Sequence, residues 1–435
     1  MASFINEFNI VVLLFIITYF LIVLNYKRKN FFIWTFISIV LLFGVISPIE
    51  AFRAINWNVI GIYIGMLFVS EIFVYSQAPH ILAEKIVSKS SKVWVIMIGI
   101  CLISGILSIA IENVAVVLIV APIALFVAKE LKINPAPMLI GIALMSNLEG
   151  VSTMIGDPPS LLLANYAGLN FMDFFIFHGK LSLFFAVQIA AIVSLIVLYY
   201  FFRKYNSPSK KVKIGKLKSF FPTFILFGMV FLLAGVSLVS YSGTSNAVKF
   251  LDNNKLGLIS ILSGIVVWVW YQRREKKDFL PFMERLDWST GLFLIGVFIL
   301  VQSLIKVGFI KYLAFKMALI TGDSIFGAYF LIIFFSVCLS AFIDNVPFIA
   351  AMLPVVGNLA QIMNVSPYLF YFGLVIGASV GGNITPVGAS ANIVAMGILK
   401  KEGKEPTFWE FVKIGLPLTL AATIVSTAFV WFVFR

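Results

Sequence analysis

Charge, cysteine and histidine are all scarce in this chain. Acidic and basic residues fill 12% of its 435 positions, and only two cysteines and two histidines occur, whereas soluble domains carry about 25% charged residues. Too few charges are available to cover a water-soluble body of this size. Cys101 and Cys338 lie inside apolar runs, so neither a disulfide framework nor a cysteine-rich metal site can be assembled. No GxxxxGK[ST] phosphate cradle is present, which argues against ATP-driven transport by this chain alone, although a separate soluble ATPase partner is compatible with it.

What replaces charge is apolar length. The chain is 61% hydrophobic with a mean hydropathy of +1.05. Runs such as Ile10–Val23 and Leu181–Tyr200 approach the ~20 residues that cross a bilayer. This pattern identifies an all-α integral membrane protein with the lipid bilayer as its partner. The first run lacks a small-residue cleavage site and is followed by Lys27, Arg28 and Lys29, so it reads as a retained span. The net charge of +13 could suit nucleic acid, but the basic residues sit in short clusters between apolar runs, where the positive-inside rule places them. They are not interleaved with exposed aromatics, so nucleic acid is not an expected partner.

The second half repeats the first at an offset of 232 residues. Ser336, Ser340, Asn345, Pro354, Gly373, Gly382, Thr385 and Gly388 fall on Ser104, Ser108, Asn113, Pro122, Gly141, Gly150, Thr153 and Gly156. Matches in Asn, Pro, Gly and Ser are not produced by a shared greasy composition. Trp57 and Gly65 recur as Trp288 and Gly296 at an offset of 231, extending the duplication upstream. An apolar chain duplicated around polar helix breakers points to a secondary transporter with its site between two repeats.

The hydropathy pattern predicts about ten transmembrane helices plus two re-entrant hairpins and two discontinuous helices, in two inverted repeats. The first repeat covers 1–202, with spans near 8–25, 31–48 and 56–77, an amphipathic stretch near 80–91, a hairpin at 93–128, a broken helix at 137–165 and a span near 172–202. A basic cytoplasmic linker at 203–219 follows. The second repeat, 220–435, carries spans near 220–240, 256–271 and 288–306, a hairpin at 325–363, a broken helix at 367–399 and a last span near 411–434. The hairpin segments are too long for one ordinary helix and are broken by Glu112-Asn113-Val114 and Asp344-Asn345-Val346. A full crossing with an immediate return is the alternative. The hairpin reading gathers most of the Lys and Arg on one side and sets both termini outside a multi-pass cell-membrane protein.

The broken helices carry the candidate site. One reads Asn147-Leu-Glu-Gly-Val-Ser-Thr-Met-Ile-Gly-Asp157-Pro-Pro; the other includes Ser379, Gly382, Asn383, Thr385, Gly388, Ser390 and Asn392. Gly and Pro permit unwinding, and the small polar residues offer oxygens and amides to a bound species. Half-helix N-termini suit an anion, while freed carbonyls and C-terminal ends suit Na⁺ or H⁺. Tight packing is the competing explanation for the Gly and small polar residues. Glu112, Glu149, Asp157 and Asp344 lie deep in these segments, where charge costs about 2.5–3.5 kcal/mol or more, so they are the expected coupling-ion or proton groups. For Glu112 and Asp344, helix N-capping at the turn is the alternative. His178 and Asp173 read as interfacial.

The segments IENVAVVLIVAP, SNLEGVSTMIGDPPS, DNVPFIAAMLPVV and GASVGGNITPVGASANIVA resemble the ion transporter superfamily. The resemblance is to the branch of arsenite permeases, NhaD-type sodium/proton antiporters and the P protein, with citrate transporters more distant. It implies a scaffold, a mobile transport domain moving as an elevator, and often a homodimer. Residue by residue it nominates Asn113, Gly150, Thr153 and Asp157 together with Asn345, Gly382, Asn383, Thr385, Ser390 and Asn392. The expectation is a non-enzymatic, cofactor-free carrier of a small anion or oxyanion, arsenite or carboxylate in class. Coupling would be to Na⁺ or H⁺, with Na⁺ near Asn113 and Asp157. A Na⁺/H⁺ antiporter with no anionic substrate is the second reading.

Overall fold

A computed structural model of the chain describes residues 2–25, 28–78, 92–208, 218–237, 246–275, 282–342 and 345–435. Helices α1 (Ala2–Leu24), α2 (Lys29–Leu42), α3 (Pro48–Ala54) and α4 (Trp57–Tyr75) precede a helical hairpin, α5 (Val93–Ser108) and α6 (Asn113–Glu130). The first broken helix is α7 (Ala136–Gly150) and α8 (Pro158–Ala167), and α9 (Leu183–Phe202) closes the repeat. The second repeat holds α10 (Phe221–Ser237), α11 (Asn246–Glu275), α12 (Trp288–Lys306) and α13 (Phe309–Thr321). Its hairpin is α14 (Ile325–Ser340) and α15 (Asn345–Ile362). Its broken helix is α16 (Tyr368–Gly381) and α17 (Ser390–Lys401), before α18 (Phe408–Phe434).

The duplication persists as geometry. Shifted by 232, the bounds of α5 and α6 are those of α14 and α15, while α7 and α8 start where α16 and α17 start. Local chemistry explains the ends. Ser47 and Glu50 form a capping box ahead of Pro48 in α3, Thr407 and Glu410 do the same for α18, and α8 stops at Gly168 in a left-handed conformation. The first hairpin arms, α5 and α14, and the half-helices are short. Α-helical α5 has 16 residues, ~24 Å at 1.5 Å per residue, against a hydrocarbon core of ~30 Å. Six described helices, the second hairpin arms α6 and α15 among them, or seven counting the pair α3–α4 bent by 56°, are long and apolar enough to cross a membrane. Large side chains such as Phe20, Phe231 and Phe432 face outward, as lipid contact permits.

Three elements differ from the sequence expectation. The span near 172–202 becomes helical only at Leu183. Before it, an Asn170–Asp173 capping box makes a 3₁₀ turn and a two-residue ribbon pairs Ile176–Phe177 with Lys180–Leu181. Helix α11 runs 30 residues, beyond the expected 256–271. Helix α13 is additional; its first-repeat counterpart near 80–91 lies outside the described residues.

Packing exchanges elements between repeats. Helix α4 lies along α11, with Gly61 against Gly257 and Gly65 against the backbone of Ser260. Its counterpart α12 lies along α2, with Gly296 against Ile33. In the rest of the molecule α5 packs on α7, α14 on α16, and α9 on α18. The second halves of the broken helices cross over: α17 packs on α6 and α7, and α8 on α15 and α16. Nearly every residue of α7 and α16 is buried, placing these two helices at the centre.

A cavity at the meeting point of helix N-termini

The starts of α6 and α15, the second arms of the two hairpins, converge on one cavity of roughly 240 Å³. Six helices reach it by their first turns: α2 at Lys29, α6 at Asn113, α8 at Pro158, α12 at Ser289 and Thr290, α15 at Asn345, and α17 at Ser390. Each helix N-terminus carries about +0.5 charge and unfilled N–H groups. Capping divides them. The Glu112 side chain accepts from the Ala115 N–H at 3.2 Å, and Asp287 accepts from the Thr290 N–H at 3.1 Å and from Thr290 Oγ1 at 2.6 Å. The capping reading of Glu112 therefore holds in this conformation; Asp344 lies outside the described residues.

The two broken helices end differently at the cavity. At α8 the N-cap position is Asp157, which makes no side-chain cap bond, and the next two residues, Pro158 and Pro159, supply no N–H. At α17 the N-cap position is Ala389, whose side chain cannot accept, and Ser390 and Ala391 follow with intact amides. The first repeat thus brings a carboxylate to the cavity where the second brings backbone donors.

An amide network fixes the two halves to each other behind this wall. Asn147 Nδ2 donates to Asn383 Oδ1 at 2.7 Å and to Asn392 Oδ1 at 3.0 Å, while Asn147 Oδ1 accepts from Asn113 Nδ2 at 3.3 Å. Asn383 donates to Leu144 O, and Asn392 donates to Gly382 O and Thr385 O. The tips are held alike: Ser108 Oγ donates to Asn113 Oδ1 at 2.9 Å and Ser340 Oγ to Asn345 Oδ1 at 2.5 Å. Asn345 Nδ2 reaches Ser379 O at 3.4 Å, and residue 379 is the repeat partner of Asn147. Thr153 and Thr385 donate to the equivalent carbonyls of Ile109 and Ala341. These side chains are buried, Asn147, Asn383 and Asn392 almost completely.

The nominated glycines serve close approach. A Cβ on Gly150 would collide with Asn113 Oδ1, and one on Gly382 would stand 2.8 Å from Asn345 Oδ1. Gly156 and Gly388 lie against the carbonyls of Ser108 and Ala341. Packing and site-building are here the same role, because the glycines set the distance between tip and broken helix.

Of the nominated residues, Glu112, Asn113, Asn147, Asp157, Asn345 and Ser390 line the cavity, and Asn383, Asn392, Ser379, Thr153 and Thr385 support that wall. Glu149 does not line it. Its carboxylate turns to α9 and accepts from Gln188 Nε2 at 2.7 Å. Lys29, Asp287, Ser289 and Thr290 line the cavity and were not foreseen. Asp287 carried a signal in its repeat partner: Asn56 accepts from the Val59 N–H as Asp287 does from Thr290. That signal marks a helix cap, and only the fold brings it to the cavity.

Comparison with known proteins agrees with this architecture. The family model described as citrate transporter matches residues 12–371 and 281–435. The chain belongs to the citrate transporter family. It is 28% identical to an uncharacterised transporter of Mycobacterium tuberculosis over 97% of both chains. It is 26% identical to the human P protein over 86% of this chain and 53% of that one, in keeping with the superfamily resemblance. Among solved structures, the YdaH transporter of Alcanivorax borkumensis aligns with a TM-score of 0.57 at 14% identity, over 87% of this chain and 84% of that one. MtrF of Neisseria gonorrhoeae aligns with a TM-score of 0.54 at 16% identity, over 91% and 84%. At these identities the two structures share a fold with this citrate transporter family member.

Proposed function

We propose that this protein is an ion-coupled secondary transporter that carries a small carboxylate or oxyanion across the cell membrane by alternating access. The observation that carries the reading is the convergence of six helix N-termini on one cavity. Their summed partial charges favour an anion, and the side-chain amides of Asn113 and Asn345 add neutral donors beside them. The citrate transporter family makes a carboxylate the first candidate. The hairpins are read as re-entrant, entering from opposite faces, and the hairpin and broken-helix block as the part that moves against α2, α4, α11 and α12. A homodimer would hold that framework still.

Coupling is assigned to Na⁺ or H⁺ at the first-repeat end of the cavity, where the Asp157 carboxylate lines the wall at a helix start that opens with two prolines. Reconstituted protein loaded with radiolabelled citrate, succinate or arsenite and energised by a Na⁺ or a proton gradient tests the whole reading. Gradient-dependent uptake of one anion is expected. Asp157→Asn should leave the protein folded and lower gradient-driven accumulation by about ten-fold or more, the scale of one lost charge interaction; unchanged accumulation would remove Asp157 from the coupling role. The second reading, Na⁺/H⁺ antiport, draws on the carboxylates Glu112, Asp157 and Asp287 at the same wall. Acidification driven by Na⁺ with no anion requirement would favour it.

A further inference from the structure

We propose that the base of the first hairpin, where α5 begins and α6 and α9 end, is a binding surface for the headgroup of an anionic phospholipid. Five cations, Lys92, Lys129, Lys132, Arg203 and Lys204, stand at these helix ends against one acid, Glu130, and all six residues are exposed. Among the described residues none of the five forms an ion pair. The contact is independent of what the protein transports.

The backbone fixes two of these ends to each other. The Val93 and Trp94 N–H groups donate to Ser207 O at 3.2 Å and to Tyr205 O at 3.1 Å, joining the start of α5 to the chain that leaves α9. The Trp94 and Tyr199 rings meet edge-on at 5.1 Å, and the Arg203 guanidinium lies 4.4 Å from the ring centre of Tyr200. Tyr199 and Tyr200 are themselves exposed. Exposed aromatic rings beside cations are the composition of a membrane interface, where the rings sit at headgroup level.

The second hairpin builds the same base without these charges. Shifted by 232, Lys92, Lys129 and Lys132 fall on Ser324, Gln361 and Asn364. Lys132 and Asn364 share a φ of 53°, and the N–H groups of Ile133 and Val365 close equivalent turns onto Ala128 O and Ala360 O at 2.9 and 3.0 Å. At the start of α14 the Ser324 side chain accepts from the Gly327 N–H, whereas Lys92 makes no side-chain cap bond at the start of α5. Lysine there forgoes the cap and sets its charge against the positive end of a helix. Lys129 suits the last turn of α6 through the same dipole; Lys92 gains nothing locally. An anionic surface beyond the hairpin base supplies the missing partner. In the orientation expected from the charge bias, this end meets the cytoplasmic leaflet, where clusters of about four to eight Lys and Arg beside a span mark contact with anionic lipid.

Full-length protein in detergent, offered equal amounts of phosphatidylglycerol and phosphatidylcholine of one chain length, tests the surface by native mass spectrometry. Wild type is expected to retain the anionic lipid in preference. Lys92→Ser, Lys129→Gln and Lys132→Asn together give the first hairpin the base of the second, and the preference should fall by about ten-fold or more. The unfolding midpoint without added lipid should stay at or above that of wild type. Lys180→Gln, Lys311→Gln and Lys316→Gln together remove the same charge from exposed positions elsewhere and should leave the preference unchanged. Equal retention of the two lipids by wild type overturns the proposal. So does an unchanged preference in the hairpin-base variant, which leaves these lysines only a part in orienting the chain during insertion. Displacement of the retained lipid by inorganic phosphate, but not by sodium chloride at the same ionic strength, overturns it in favour of a soluble anion. Should the combined variant fail to fold, Lys132→Asn alone places a residue that favours the left-handed turn; a loss of preference of about two-fold or more is expected, and none would overturn the proposal.

Discussion

At the residue scale, Asn147 joins the repeats. Its single amide group serves Asn383, Asn392 and Asn113 at once, with both N–H donors crossing to the other half. Asn147→Ala leaves two buried carbonyl oxygens without their donor, at about 1–3 kcal/mol each. Thermal unfolding should show a lowered midpoint, and anion binding should weaken together with it. Asn147→Asp should not rescue, because a carboxylate keeps the shape and supplies no N–H. Full stability in either variant would mean that the network is dispensable. The sequence made the tip asparagines and Asp157 legible through repetition and depth. It did not show that Glu149, two residues from Asn147, turns to Gln188 instead of the cavity, since both directions are equally apolar in one dimension.

At the element scale, the duplication determines helix bounds with little help from tertiary context. Polar triplets end α5 and α14 after the same number of residues, and Gly and Pro unwind the two central helices at equivalent places. The pairing of elements follows another rule, close glycine contact. Gly65 presses on the backbone of Ser260, where an added Cβ would stand 2.7 Å from Ile261 N. Neither partner is a flexible side-chain end. Gly65→Ala should therefore force α4 and α11 apart and cost about 1–3 kcal/mol, the usual penalty of overpacking. A lowered unfolding midpoint in detergent checks this; Gly228→Ala, where nothing stands within 4 Å, is the control. The site residues should still bind anion in the Gly65 variant if it folds, because α4 belongs to the proposed framework and not to the hairpin and broken-helix block.

At the scale of the whole molecule, the proposed mechanism divides the helices into two bodies. Framework helix α4 touches α8 of the broken-helix block through a hydrogen bond from Asn56 to Asn165, at the far end of α8 from Asp157. The alternating access proposed above would require this bond to break. A Cys pair at 56 and 165, in a background with the exposed Cys338 replaced by Ser, should cross-link and stop transport, and reduction should restore it. Transport that continues at full rate in the cross-linked protein would show that α8 does not move against α4.

The sequence by itself determined the class, the twofold repetition, the helix breaks and the asparagines at the turns. Those follow from local rules: apolar length sets spans, and Gly, Pro and polar triplets interrupt them wherever they stand. Tertiary structure alone decided that α8 and α17 exchange between repeats, that six helix starts share one cavity, and that Lys29 belongs to it. Residues far apart in the chain meet only when apolar faces have chosen their partners, and a basic residue at a helix start looks the same in sequence whether it meets water or a buried cavity.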